Sequence, residues 1–287
     1  MVKKPGFIFI LLSITFLPAK SQEWTGDLFV GTSNYTGDLL ESRYTMNNSH
    51  LALGLGAGYR FNEHIRVRAM FSFGKITADD KDNKDPFLLA RNLNFFSSIT
   101  ELSVTGHYDF LDMNFHRVTP YVFAGISIFR FNPYTYDTLG NKVMLKPLST
   151  EGQGMAAYPN RKPYSLTQFA IPFGAGIKFA INENITLAWE VGLRKTFTDY
   201  LDDLSNNYVD QAALLAERGA IAVELAYRGD ELKNSPGTYP ADGTVRGGPD
   251  YKDWYYFSGF TASYTLPFGS SYINSQKGKT DCPKPVF

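Results

Sequence analysis

Residues 185–194 read ITLAWEVGLR, and their side chains sort by parity: Ile185, Leu187, Trp189, Val191 and Leu193 on one side, Thr186, Ala188, Glu190, Gly192 and Arg194 on the other. Successive side chains of a strand point to opposite faces, so this is a strand with one apolar face and one that carries charges of both signs. Immediately before it, Asn182, Glu183 and Asn184 separate it from a second alternating run, 169–181. There Phe169, Ile171, Phe173, Ile177 and Phe179 oppose Gln168, Gly174, Gly176 and Lys178. Two such runs joined by three polar turn formers read as a hairpin. Pro172 shares the polar face, where it removes a ladder donor and predicts a bulge.

Outward from this hairpin the pattern repeats. Segments 51–61 and 65–76 are separated only by Asn62, Glu63 and His64, and the fourth and fifth meet through 111–118. With 24–35, 120–131 and 254–268 the total is eight, and between the pairs run long excursions, 36–50, 77–96, 132–167 and 198–252, rich in Asp, Asn, Gly, Pro and Tyr. Alternating short and long connections predict an all-β fold: an eight-stranded antiparallel transmembrane β-barrel, with short periplasmic turns and long extracellular loops. A soluble secreted barrel or sandwich shows the same alternation with its faces exchanged. Segment lengths near the roughly 10 residues that cross a membrane as tilted strands favour the membrane. So do the aromatics at segment ends, among them Trp24, Tyr59, Phe61, Tyr108, Phe110, Tyr121, Phe131 and Trp254.

The faces also define a lumen. Segment 65–76 sets Ile65, Val67, Phe71 and Phe73 against Arg66, Arg68 and Ser72; the fourth sets Leu102, Val104, Tyr108 and Phe110 against Glu101, Ser103, Thr105, His107 and Asp109. Asp27 fits the interior, while the first, fifth and eighth segments divide less cleanly. The expected interior charge network is Arg66, Arg68, Glu101, His107, Arg130, Lys178, Glu190 and Arg194, although Arg130 shares its parity with Val122, Ile126 and Ile128. Eight strands enclose a space just filled by side chains, and buried charges must pair. The set reads as a salt-bridged plug; an ion gate is the alternative.

Reactive groups are few. His64 and His116 fall in short turns, His50 ends a loop, and His107, beside Asp109 and Glu101, is read as a hydrogen-bonded interior histidine or a general base. No serine, histidine and acid converge at the outer rim, so no catalytic residue and no cofactor is assigned. Asp199, Asp202, Asp203 and Asp210 lack the Gly and terminal Glu of an EF-hand loop and suit turns and caps, so no metal site is assigned either. Twenty-eight Lys+Arg balance 28 Asp+Glu, which points away from nucleic acid.

Lys3 and Lys4, an apolar run over 7–17 and Ala19-Lys20-Ser21 predict a signal peptide, 1–21, with the mature chain starting near Gln22. The barrel domain follows over 22–268, and a polar tail, 269–287, is expected in the periplasm with both termini. Its Cys282 is a free thiol or an intermolecular bridge. In the last long loop Asp210 caps an expected helix over Gln211–Arg218, Gly219 ends or bends it, and 220–228 continues as helix, although Ile221, Val223 and Leu225 also alternate as a strand would.

Two stretches carry a family resemblance: Gly31-Thr32-Ser33-Asn34-Tyr35-Thr36-Gly37-Asp38-Leu39, and the more specific Arg194-Lys195-Thr196-Phe197-Thr198-Asp199-Tyr200-Leu201-Asp202-Asp203 followed by Asn207-Tyr208. In these the chain resembles the PorG family of outer-membrane proteins, over nearly the whole mature length. The resemblance implies a non-catalytic component of the type IX secretion system of Bacteroidota, the machine also tied to gliding motility. Its implied partners are outer-membrane lipids, a PorK-like periplasmic ring lipoprotein, a PorN-like protein and other components of the secretion system, and its implied role is to anchor or assemble that ring. On position alone, Asn62, Glu63, His64, Asn182, Glu183, Asn184, residues 111–118 and the tail become candidate partner contacts. The alternative is a stand-alone barrel acting as an adhesin, a ligand-binding protein or an envelope stabiliser.

Overall fold

The computed structural model describes residues 23–40, 48–233, 237–248 and 252–266. The expected signal peptide, the tail with Cys282 and part of the first long loop lie outside them. The strands are β1 (Glu23–Thr36), β2 (His50–Arg60), β3 (Ile65–Asp79), β4 (Asn94–Asp109), β5 (Val118–Arg130), β6 (Pro133–Tyr136), β7 (Lys142–Met144), β8 (Thr167–Ala180), β9 (Ile185–Thr196) and β10 (Trp254–Leu266). Eight of them run in the order β3-β2-β1-β10-β9-β8-β5-β4, and pairing of β3 with β4 closes the ring. Every pairing is antiparallel, and closure leaves no unpaired edge in the barrel.

The faces are inside-out for an aqueous protein. Ile126 and Leu55, on the outer face, are 71% and 68% exposed, whereas Asp27 and Glu101, facing inward, are 3% and 0% exposed. In water this would leave a continuous apolar belt; in a bilayer the belt meets hydrocarbon and the backbone is satisfied by the closed ladder. No described helix is long and apolar enough to cross a membrane. The strands are the elements that cross.

Both connections of the type Asn-Glu-X-Ile are built alike. Asn62 Oδ1 accepts from the backbone N–H of His64 (2.9 Å) and Ile65 (2.8 Å), and Asn182 Oδ1 from those of Asn184 (2.9 Å) and Ile185 (2.8 Å). The asparagine side chain substitutes for backbone acceptors, which is why so short a turn reverses a strand.

Two expectations are corrected, and the long loops hold further structure. Arg130 is exposed on the outer face, not in the lumen, because it pairs with the outward Thr100 of β4 and keeps the parity of Ile126 and Ile128. Pro172 faces the lumen, but no bulge forms: the register between β5 and β8 is unchanged from Ala124↔Phe173 to Ser127↔Ala170. The missing N–H interrupts the ladder for two residue pairs without adding a residue to either strand. The long loops are also more ordered than their composition suggests. β3 and β4 stay paired as far as Asp79↔Asn94, leaving a short crossing with helix α1 (Pro86–Arg91), whose N-cap Asp85 accepts from Phe87 N–H at 2.8 Å. Within 132–167, β6 and β7 form a hairpin that β6 attaches to β4 through Phe96↔Tyr134.

The long-loop end is closed by a packed cap. Helices α2 (Gln211–Arg218) and α3 (Ala220–Ala226) form as expected, with Asp210 Oδ1 accepting from Ala213 N–H at 2.8 Å. Gly219, at φ +84°, makes the bend between them. The helix wins over the alternating reading of 220–226 because Ala222, Leu225 and Ala226 bury one face of α3 with Leu201, Leu204, Val209 and Leu214, continuous with Phe29, Ile76, Phe95 and Phe131 at the barrel mouth.

Candidate functional site

Among the described residues four ion pairs lie in the lumen, and each joins different strands. Arg66 of β3 donates to Asp27 of β1, which also accepts from Ser263 Oγ at 2.6 Å. Arg68 of β3 reaches Glu190 of β9 through both terminal nitrogens, at 3.0 and 2.9 Å, and Tyr121 completes that carboxylate. Arg194 of β9 pairs with Glu101 of β4 through Nε and Nη2, both at 3.1 Å, and Tyr255 donates to the same Glu101 at 2.6 Å. Lys178 of β8 binds Asp109 of β4. Bidentate geometry and added hydroxyl donors are what a low-dielectric pair needs to repay desolvation.

The seven inward residues of the expected network are therefore brought together, and Asp27 and Asp109, already on the inward parity, supply the partners that sequence alone left unassigned. Rings fill what remains: His107 stacks on Tyr121 and Phe123 (centroids 5.6 and 5.1 Å), with Nε2 2.9 Å from Thr105 Oγ1. Gly176 and Gly192 make room for them, since a Cβ at either would lie under 3.0 Å from Tyr121 or Phe123. A void bounded by Phe29, Arg68, Met70, Phe123 and Glu190 measures about 10 Å³, room for about one water at most.

The family-motif residues continue from this plug into the cap. Arg194 lies in the lumen; Lys195 and Phe197 point outward; Thr196 Oγ1 donates to Asp253 O at 2.6 Å. Asp202 and Asp253 share the Tyr35 hydroxyl, at 2.6 and 3.1 Å, and Asp253 Oδ2 accepts from Leu201 N–H at 2.8 Å. Asp203 accepts from Thr150 Oγ1 and Tyr164, both at 2.6 Å, while Tyr200 stacks on Tyr164 with centroids 4.5 Å apart. Thr198 is buried beside them, and Tyr208 is buried against Tyr227 and Tyr239. The motif thus folds over the barrel mouth.

Its main tie was not visible in the sequence. The buried Arg246 donates to Glu151 Oε1 (2.9 Å), Asp203 O (2.9 Å) and Ala226 O (3.1 Å), and Glu151 in turn accepts from Ser205 and Asn206 N–H at 3.1 and 3.0 Å. Arg91, paired with Asp80 at 2.8 and 2.7 Å, donates to the Arg246 carbonyl and ties in the second long connection, 77–96. Glu151 and Arg246 sit in irregular segments, Arg91 ends the six-residue α1 and Asp80 follows β3 directly, so none carries a periodicity that marks it.

Burial makes the cap acid-stabilised. Asp199 is pushed up to about 7 and Asp203 up to about 6, in both cases by burial, and Asp202 and Asp253 lie well above the usual carboxylate range for the same reason and through repulsion by neighbouring carboxylates. A carboxyl whose folded pKa exceeds its unfolded value binds more protons in the folded form, so stability falls as pH rises between the two. The cap is therefore expected to loosen between about pH 4 and 7. Exchange of the 198–206 amides, corrected for intrinsic rate, should be faster at pH 8 than at pH 5, and Asp199→Asn should reduce that difference. Equal protection at both pH values would contradict it.

Among the described residues no group of three or more His, Cys, Asp or Glu side chains is placed to hold a metal. The candidate contacts form two groups at the short-turn end, Asn62, Glu63 and His64 between β2 and β3 and Asn182, Glu183 and Asn184 between β8 and β9, on opposite sides of the ring; His64 Nδ1 is 2.8 Å from Asp109 O and Thr265 N–H donates to Asn184 O at 2.8 Å.

A family model described as a domain of unknown function, DUF6089, matches residues 4–219. No curated protein matches the chain. Among solved structures it is similar to Neisserial surface protein A (12% identity, TM-score 0.42, covering 85% of this chain and 97% of that one) and to a major outer membrane protein from Thermus thermophilus (13%, 0.40, 85% and 99%). It is also similar to OprG from Pseudomonas aeruginosa (11%, 0.39, 85% and 98%). Likeness at this level carries no argument about role.

Proposed function

The chain belongs to the DUF6089 family, and from its plugged lumen we propose that it is a non-catalytic structural subunit of the outer membrane, with its short turns and both termini in the periplasm. The observation that carries this reading is the set of four interstrand ion pairs filling the barrel: a lumen cross-linked from strand to strand suits an anchor better than a conduit. At the next level of detail, the protein is a component of the type IX secretion system that anchors or assembles a periplasmic ring of a PorK-like lipoprotein and a PorN-like protein. The resemblance of 194–203 to the PorG family supports that role, and the hydrogen-bonded Asn62 and Asn182 turns offer a ring a fixed surface.

A mild-detergent pull-down of the tagged protein from outer membranes, followed by mass spectrometry, tests this. Recovery of a ring lipoprotein and its periplasmic partner is expected; a clean barrel would overturn the secretion reading. The packed cap favours a second reading, a stand-alone adhesin or ligand-binding barrel. Removal of 198–252 would then abolish function, whereas changes at Asn62–His64 would leave it intact.

A further inference from the structure

The outer wall carries a polar patch just above the apolar belt. Lys75 of β3 lies opposite Ser98 of β4, and two residues along β4 Thr100 lies opposite Arg130 of β5. All four face outward, and Lys142 of β7 joins them: its Nζ is 3.8 Å from the centre of the Tyr134 ring, which with Phe96 also faces Lys75, at 5.8 and 4.5 Å. Among the described residues none of the three cations has a carboxylate in ion-pair range, and Asp79, the outward acid on β3, is occupied by Lys81 at 2.6 Å. In the row below, the same strands present Phe71, Leu102, Ile128 and Phe169, so the cations sit at the hydrocarbon boundary.

The same seam holds a dent. Gly106 of β4 pairs with Ala124 of β5, and with no side chain at one and a single methyl at the other they leave a depression of about 550 Å³ walled by Ile65, Tyr108, Val122 and Phe173. From Arg130 to Ala124 is six residues, about 20 Å along the strand. At a tilt of roughly 45° this is ~14 Å of depth, close to half of a ~30 Å hydrocarbon core. A lipid with its headgroup at Arg130 would place its tail end in the dent.

We infer that Lys75, Arg130 and Lys142, with the Gly106–Ala124 depression below them, form a binding site for one lipid whose headgroup carries a phosphate monoester. Three cations with no protein counter-charge match a group bearing close to two negative charges better than a zwitterionic diester, and Ser98 and Thr100 add hydroxyl donors. The inference rests on the membrane-spanning reading and is independent of any secretion partner.

The test uses the full protein in phosphatidylcholine nanodiscs doped with lipid A, in parallel with its dephosphorylated form, with retained lipid counted by native mass spectrometry. Wild type should retain the phosphorylated lipid and release the dephosphorylated one. Charge reversal of Lys75 and Arg130 should lower retention by at least about fivefold per site, since each basic residue near a charged surface contributes on that scale. Lys162→Glu, on an exposed loop, should have no effect. Gly106→Leu tests the tail end separately: a Cβ there meets nothing closer than the Ala124 carbonyl at 3.9 Å, so the barrel should fold and retention should fall with the cations intact. Equal retention of both lipids, indifference to the charge reversal, or equal binding of inorganic phosphate without lipid would overturn the proposal.

Discussion

Glu190→Ala should lower the unfolding free energy by about 3–5 kcal/mol, because it leaves the Arg68 guanidinium buried without a counter-charge. Both charged groups are over nine-tenths buried, and Tyr121 loses its acceptor as well. Urea unfolding of the lipid-reconstituted barrel, followed by the mobility difference of folded and unfolded forms on gels, gives the number. Replacing both partners with methionine should recover most of the loss, since two apolar side chains of similar volume remove the desolvation penalty along with the attraction. A loss under about 1 kcal/mol would mean that the pair is solvated, as surface pairs are, and that the lumen is wet. The same variant separates plug from gate in planar bilayers. A plug stays closed, because three other ion pairs and the stacked His107, Tyr121 and Phe123 still fill the section. Steady conductance from Glu190→Ala alone would instead make that pair a gate.

Arg246→Ala should unfold the cap and leave the barrel standing. The guanidinium ties Glu151, Asp203 and Ala226, so its removal strands a fully buried Glu151 carboxylate and costs the cap about 3–5 kcal/mol. Proteolytic cleavage between 198 and 253 should become fast, while amide protection in β8 and β9 stays at the wild-type level. Arg246→Lys should restore little: an ammonium keeps the charge but lacks the planar fork that reaches both the Glu151 carboxylate and the Ala226 carbonyl. Loss of barrel protection together with the cap would show that the two fold as one unit.

Strand parity is a local property, and the chain's own alternation determined most of what parity controls. Eight strands, their inner and outer faces, the short turns at Asn62 and Asn182, and the inward placement of Arg66, Arg68, Glu101, Lys178, Glu190 and Arg194 are all legible from period two. Arg130 is expected in the lumen for its charge although its parity is that of Ile126 and Ile128, and it faces outward with them, because a charge at the end of a strand can reach water or headgroups from the lipid side. What parity cannot state is which residue faces which across a closed ring. That Arg68 meets Glu190, 122 residues away, depends on the register of every intervening pair. Pro172 shows the converse: the lost donor was legible, but the unchanged register was decided by the strands on either side of it. The cap lies further still from local rules. Glu151, Arg91, Asp80 and Arg246 come from three separate loops with no periodicity, and only the closing of the barrel, which brings all the long connections to one end, makes them neighbours. So the sequence by itself determined a barrel and what lines it. The pairing that plugs the lumen and the cap that covers its mouth were decided by tertiary structure, because desolvated charges must find partners wherever the fold has put them.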